Sequence, residues 1–164
     1  MADPNLDHQS VLNLREEDKV ATVLKLLESS RAQIMTWHNQ AYVAATTSLG
    51  LLLAIAKLWF DTATKTLAGL AVTELGMTAF VVLAYLYLRA AEHNYNGNER
   101  NKVWCEYALR LKDEGKYFEG ERFYWAQKGD KGMPSRDIPV LKLAVPSVGI
   151  LLAAASAWTF WSGI

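Results

Sequence analysis

The chain reads as an all-α polytopic membrane protein with three transmembrane helices, a long N-terminal helix continuing into the first span, and a helical cytosolic loop. Three observations predict this. Three apolar blocks of about 20 residues each match a hydrocarbon layer of ~30 Å. Charge is concentrated in residues 1–37 and 89–142. Neither Pro nor Gly occurs from Leu6 through Leu49, so nothing local ends a helix there.

The elements follow in order. Residues 1–10 are polar and lack the basic, apolar and small-residue sequence of a secretory signal peptide, so the first apolar block is expected to act as the insertion signal. Residues 1–37 form a cytosolic arm. Within it Val20, Val23, Leu24, Leu27, Ile34 and Met35 make a stripe at helical spacing, close to a heptad in places, with Arg31 interrupting it. A helix from Glu16 to Phe60 would hold about 45 residues and extend ~65 Å. Residues 38–88 form a transmembrane hairpin. Span 1 covers about Ala41–Phe60, with Trp59 and Phe60 expected in an interfacial aromatic belt. Span 2 covers about Leu67–Leu88. Only Asp61 to Thr66 separate the two, which forces them antiparallel.

Residues 89–142 form a cytosolic helical and aromatic-basic segment. Asn94, Asn96, Gly97 and Asn98 make a break-prone patch at its start. Val103, Trp104, Tyr107, Ala108 and Leu111 then define an amphipathic face, in a helix expected to end near Gly115. Residues 143–164 form span 3, with Pro146 expected in its first turn and Gly149, Ala153 and Ala157 in a small-residue packing row.

Basic residues orient the set. The arm holds Arg15, Lys19, Lys25 and Arg31, and residues 89–142 hold eleven Lys and Arg; the short hairpin loop holds Lys65. By the positive-inside rule the N-terminus and the 89–142 loop are cytosolic, and the C-terminus lies outside, in an inner or plasma membrane. With 17 basic and 17 acidic residues the net charge is zero, which argues against a general nucleic-acid-binding surface. One cysteine, Cys105, excludes an intramolecular disulfide and a zinc site of the CxxC kind.

Candidate functional residues are few. Glu74 lies about seven residues into span 2, where a carboxylate costs roughly 2.5–3.5 kcal/mol unless it faces protein or water. Two arrangements satisfy it: a pore-lining or gating carboxylate flanked by Thr73 and Thr78, or an ion pair with Lys57. In the stretch from Lys116 to Trp125, five of ten residues are aromatic. Lys116, Arg122, Tyr124, Trp125 and Lys128 are the residues expected to stack a base and pair phosphates of a nucleotide or oligonucleotide ligand. The same stretch also fits a juxtamembrane belt or a small core against the N-terminal helix. No Gly-rich phosphate loop occurs. His38 and His93, with Glu92 near, fit interfacial hydrogen bonding better than metal binding, since no HExxH-type spacing occurs. No catalytic constellation can be argued from spacing, so no catalytic residue, cofactor or metal is expected, and the chain is not read as an enzyme.

The helical arm, the tight hairpin and the segments Trp104-Cys-Glu-Tyr-Ala-Leu-Arg-Leu-Lys and Gly120-Glu-Arg-Phe-Tyr-Trp resemble the small SLATT-type membrane effectors of bacterial conflict systems and the small channel effector of the Hailong antiphage system. The likeness covers residues 16–125 in layout; span 3 is an addition to the two-span SLATT plan. It implies a homo-oligomeric effector that conducts ions or disrupts the membrane under control of a cytosolic nucleotide-type ligand. The alternative is a membrane scaffold or adaptor whose cytosolic helices, through the Val103–Leu111 face, bind a partner protein.

Overall fold

The computed structural model describes residues 16–109 and 135–163. They form three helices: α1 (Glu16–Asp61), α2 (Leu67–Ala108) and α3 (Asp137–Ser162). All three are long and apolar enough to cross a membrane. The chain divides into two units. One contains the described residues of 16–37 and 93–109 with Ser135; the other contains 38–92 and 136–163.

One spacing governs packing in all three helices. Along α1 the buried positions are Val23, Leu27, Ser30, Ile34, Ala41, Ala45, Leu52, Ala56 and Trp59, with half-buried Trp37, His38 and Ser48 filling the steps between them. Along α2, Leu70, Met77, Ala84, Leu88, Ala91 and Cys105 are buried; Glu74, Val81, Tyr95, Asn98 and Lys102 complete the alternation of four and three. Along α3 the same alternation runs through Ile138, Lys142, Val145, Gly149, Leu152, Ser156 and Thr159. Steps averaging 3.5 residues keep one seam of each helix turned toward its neighbours, the pattern of helices packed at a shallow left-handed crossing. Arg31 does not interrupt this seam. It is exposed beside it, and Ser30 occupies the packing position.

In the first unit Val23 and Leu27 of α1 pack with Trp104, Cys105 and Ala108 of α2, flanked by Leu26 and Leu109. This core explains why α2 runs unbroken through Asn94, Asn96, Gly97 and Asn98. Gly and Asn each cost roughly 0.5–1 kcal/mol in a helix, whereas burying a side chain of Val or Leu size yields about 1.5–3 kcal/mol. Local bonds help: Asn98 Nδ2–H donates to the Asn94 carbonyl at 2.9 Å, and Lys102 Nζ donates to both Glu99 oxygens at 3.0 Å. The expected helix end near Gly115 lies outside the described residues.

In the second unit the connection from Asp61 to Thr66 is short, and Thr66 Oγ1 caps α2 by accepting from the Gly69 N–H at 3.1 Å. Trp59 is not in an exposed belt. It is buried, and its Nε1–H donates to the Ser156 carbonyl at 3.2 Å and to Thr159 Oγ1 at 3.1 Å. Phe60 is exposed. The outward faces are apolar as well: Leu53, Leu58, Val72, Leu75, Leu143 and Leu151 are all exposed.

α3 begins six residues before the expected start at Leu143, at Asp137, so Pro146 lies inside the helix. Pro139 takes the first-turn position, where the missing N–H has no helical acceptor to lose. Pro146 instead leaves the Lys142 carbonyl without its usual donor. The earlier start is possible because Lys142 is neutralised by Glu92. Of the expected small-residue row, Gly149 is buried while Ala153 and Ala157 are half-buried; the face turned inward runs through Val145, Gly149 and Ser156.

A Cβ on Gly149 would collide with Val81 Cγ2 and lie 3.8 Å from Leu52 Cδ1. Gly149→Ala is therefore predicted to destabilise the bundle by about 1–3 kcal/mol, an overpacking cost. Val81→Ala in the same chain should recover most of it. Thermal unfolding in detergent, followed by helical circular dichroism, measures both; a Gly149→Ala protein that melts unchanged would contradict the close approach.

Candidate functional site

Glu74 stands on the α2 seam, one turn from buried Leu70 and one from buried Met77. Its Oε1 is buried and has no hydrogen-bond partner among the described residues. Lys57 is exposed and forms no ion pair with it, so the pairing that would neutralise Glu74 is not realised. Thr73, half-buried, donates its hydroxyl to the Gly69 carbonyl at 2.9 Å. Thr78, four residues from Glu74 and thus on the same side of the helix, is exposed. The neighbourhood is tight: a Cβ on Gly69 would lie 3.3 Å from the Trp59 ring, and one on Gly76 would lie 3.9 Å from Ile55 Cδ1. The three residues named from sequence therefore share one stretch of α2, but only Glu74 combines a charge with a buried, unsatisfied oxygen.

A second polar group lies at the other end of the same unit. Lys142 of α3 pairs with Glu92 of α2 and sits over the Tyr85 ring, 5.9 Å from its centroid. His38 Nε2 is 3.9 Å from Asp137 Oδ2, and its ring meets Tyr42 edge to face at 5.0 Å. Tyr87 donates to Gln40 Oε1 at 3.3 Å. Sequence reasoning named His38 and Glu92 and missed both partners. The available signal was Lys142 itself, a lone cation one residue before the apolar run of α3. Among the described residues no cluster of three or more His, Cys, Asp or Glu could hold a metal ion.

In the first unit a cleft of about 370 Å³ is lined by Arg31, Ile34, Met35, Glu99, Lys102 and Glu106. Arg31 reaches Glu106 Oε1 at 3.3 Å, and buried Glu99 is held by Lys102. The cleft is charge-balanced. The residues expected to bind a nucleotide, Lys116, Arg122, Tyr124, Trp125 and Lys128, lie outside the described residues.

Cys105 belongs to the core of this unit. Burial first, and the neighbouring Glu106 carboxylate second, push its thiol up to about 12. A thiol in that state is a packing residue and not a nucleophile at neutral pH. No known protein family, no curated protein and no solved structure matches the chain.

The raised Cys105 pKa has a defined sign. The folded state holds the proton more tightly than the unfolded one, so the stabilisation is fully present below about 9 and is lost as pH rises toward about 12. Native protein at pH 8 should resist iodoacetamide, and unfolded protein should be alkylated readily. Rapid labelling of the native chain would contradict the burial of this thiol.

Proposed function

We propose that the protein is an integral membrane protein that assembles as a homo-oligomer around an ion-conducting path, to which α2 contributes Glu74. The N-terminus and residues 89–142 face the cytosol, and the C-terminus lies outside. Control comes from the cytosolic part, through a nucleotide-type ligand held by Lys116, Arg122, Tyr124, Trp125 and Lys128. The setting is the inner membrane of a bacterium defending itself against phage, in the manner of the small effectors whose layout the chain resembles.

The observation that carries this reading is the orphaned oxygen of Glu74. The outward side of the second unit carries Leu53, Leu58, Val72, Leu75, Leu143 and Leu151, and its seam is filled by side chains such as Leu52, Met77 and Val145. A carboxylate set into that seam without a cation reduces stability, and such residues in membrane spans mark ion or proton pathways. Three helices packed on a filled seam enclose no water path, so conduction requires several subunits. Glu74 tucked into the seam is the closed arrangement. Turning α2 about its axis presents Glu74 together with the Thr78 hydroxyl to the path, giving cations two oxygen ligands per subunit.

The adaptor reading has less support. Its binding face would be Val103–Leu111, and Trp104, Cys105 and Ala108 of that face are already packed against Val23 and Leu27.

Reconstitution tests the proposal. Purified protein in planar bilayers should conduct cations, and Glu74→Gln should assemble normally. A charge-assisted contact is worth about 1.5–3 kcal/mol, so the variant's conductance should fall roughly tenfold or more. Normal assembly with unchanged conductance would remove Glu74 from the path.

A further inference from the structure

Two rows of exposed aromatic side chains bracket the second unit. At the end that holds the Lys142–Glu92 pair they are Tyr42, Tyr85 and Tyr87; at the end where α3 stops they are Phe60, Trp158 and Trp161. Aromatic side chains gather at the two faces of a bilayer. Tyr42 and Phe60 stand about five helical turns apart on α1, a rise of roughly 27 Å, close to a hydrocarbon layer of ~30 Å. The two rows therefore mark the two membrane boundaries.

Glu74 is not midway between them. The level of the second row on α2 is set by Gly69, where a Cβ would lie 3.3 Å from the ring of Trp59, the neighbour of Phe60. Trp59 in turn bonds to the turn of α3 that carries Trp158. Along α2, Glu74 lies about 7 Å from Gly69 and about 16 Å from Tyr85. Lys57 agrees with this level. It is exposed one turn from Phe60, where a long cationic side chain can reach the interface.

We infer that Glu74 forms the mouth of the path on the side where α3 ends. It meets cations from that side, and the closed seam shuts it off from the side of Lys142 and Glu92. The inference rests on the conducting reading above and adds which side the carboxylate serves.

The chemistry to either side of Glu74 differs in the same sense. Toward the end of α3 stand the Thr73 hydroxyl, the Ser156 carbonyl and the Thr159 hydroxyl. Oxygens of this kind can replace the water around a hard cation. Toward the other end the seam runs through Met77, Val81, Leu52, Gly149 and Val145. There the three helices come together, since a Cβ on Gly149 would meet both Val81 and Leu52. A cation entering that stretch would lose its water with nothing in exchange.

Sided labelling tests this. The full chain carrying Glu74→Cys is placed in sealed membrane vesicles of both orientations, and exposure of a C-terminal tag reports which end faces the bath. Cys105 can stay, since it is buried. A membrane-impermeant maleimide should label Glu74→Cys at least tenfold faster when the end of α3 faces the bath. Equal or faster labelling from the other side, or none from either, would overturn the assignment. Conductance of the unsubstituted chain in planar bilayers separates the two levels. Conduction with labelling from the wrong side, or from neither, defeats the mouth and leaves the path. A chain that does not conduct defeats the path and the mouth with it.

Discussion

The seam with steps of four and three is the constraint on which the rest of the molecule depends. It sets which residues of each helix meet, and it runs along α1 from Val23 to Trp59 and along α2 from Leu70 to Cys105. A seam with this period has one place per half-heptad, and each occupant must be apolar, small or paired. Most places comply. Ser30 and Ser156 are small, and Ser156 returns its hydroxyl to the Leu152 carbonyl. Lys142 and Lys102 are paired with Glu92 and Glu99. Glu74 stands apart, because it is neither apolar nor paired.

The two units use the same seam for different chemistry. In the first, charge is balanced locally: Arg31 with Glu106, Lys102 with Glu99, around a core of Val23, Leu27 and Trp104. In the second, the ion pairs gather at one end, where Glu92, Lys142, His38 and Asp137 hold the start of α3 to α1 and α2. The other end is held by a neutral device, the Trp59 indole bonded to Ser156 and Thr159. Glu74 lies toward that neutral end, about two helical turns from the capping Thr66. Nothing among the described residues there offers it a cation.

Much of this was legible in the sequence. The three apolar blocks and the Pro- and Gly-free run before Gly50 fixed the helices and the continuity of α1. What was not legible were the choices packing makes among similar residues. Arg31 looked like an interruption because the stripe was read through exposed Val20, Leu24 and Met35; the seam passes through Ser30 instead. Asn94 to Asn98 looked like a break because propensity is local, and the core around Trp104 outweighs it. Pro146 looked like a first-turn residue because the charged stretch before it seemed to end the span; the pairing of Lys142 with Glu92 lets α3 start at Asp137. At the candidate site, position alone singles out Glu74; spacing allows both a pore-lining role and a pair with Lys57, and Lys57 is exposed and does not pair with it. The aromatic-basic residues from Lys116 to Lys128 carry the proposed control and lie outside the described residues.

The central claim is that Glu74 is a flaw in an otherwise satisfied seam, retained for conduction at the expense of stability. The most direct measurement is the unfolding free energy of Glu74→Leu in lipid bicelles. Removing an uncompensated carboxylate at this position should stabilise the bundle by about 2–3 kcal/mol, with ion conduction lost. A Glu74→Leu protein that unfolds more easily than the original would contradict the account, because the carboxylate would then be holding the seam together.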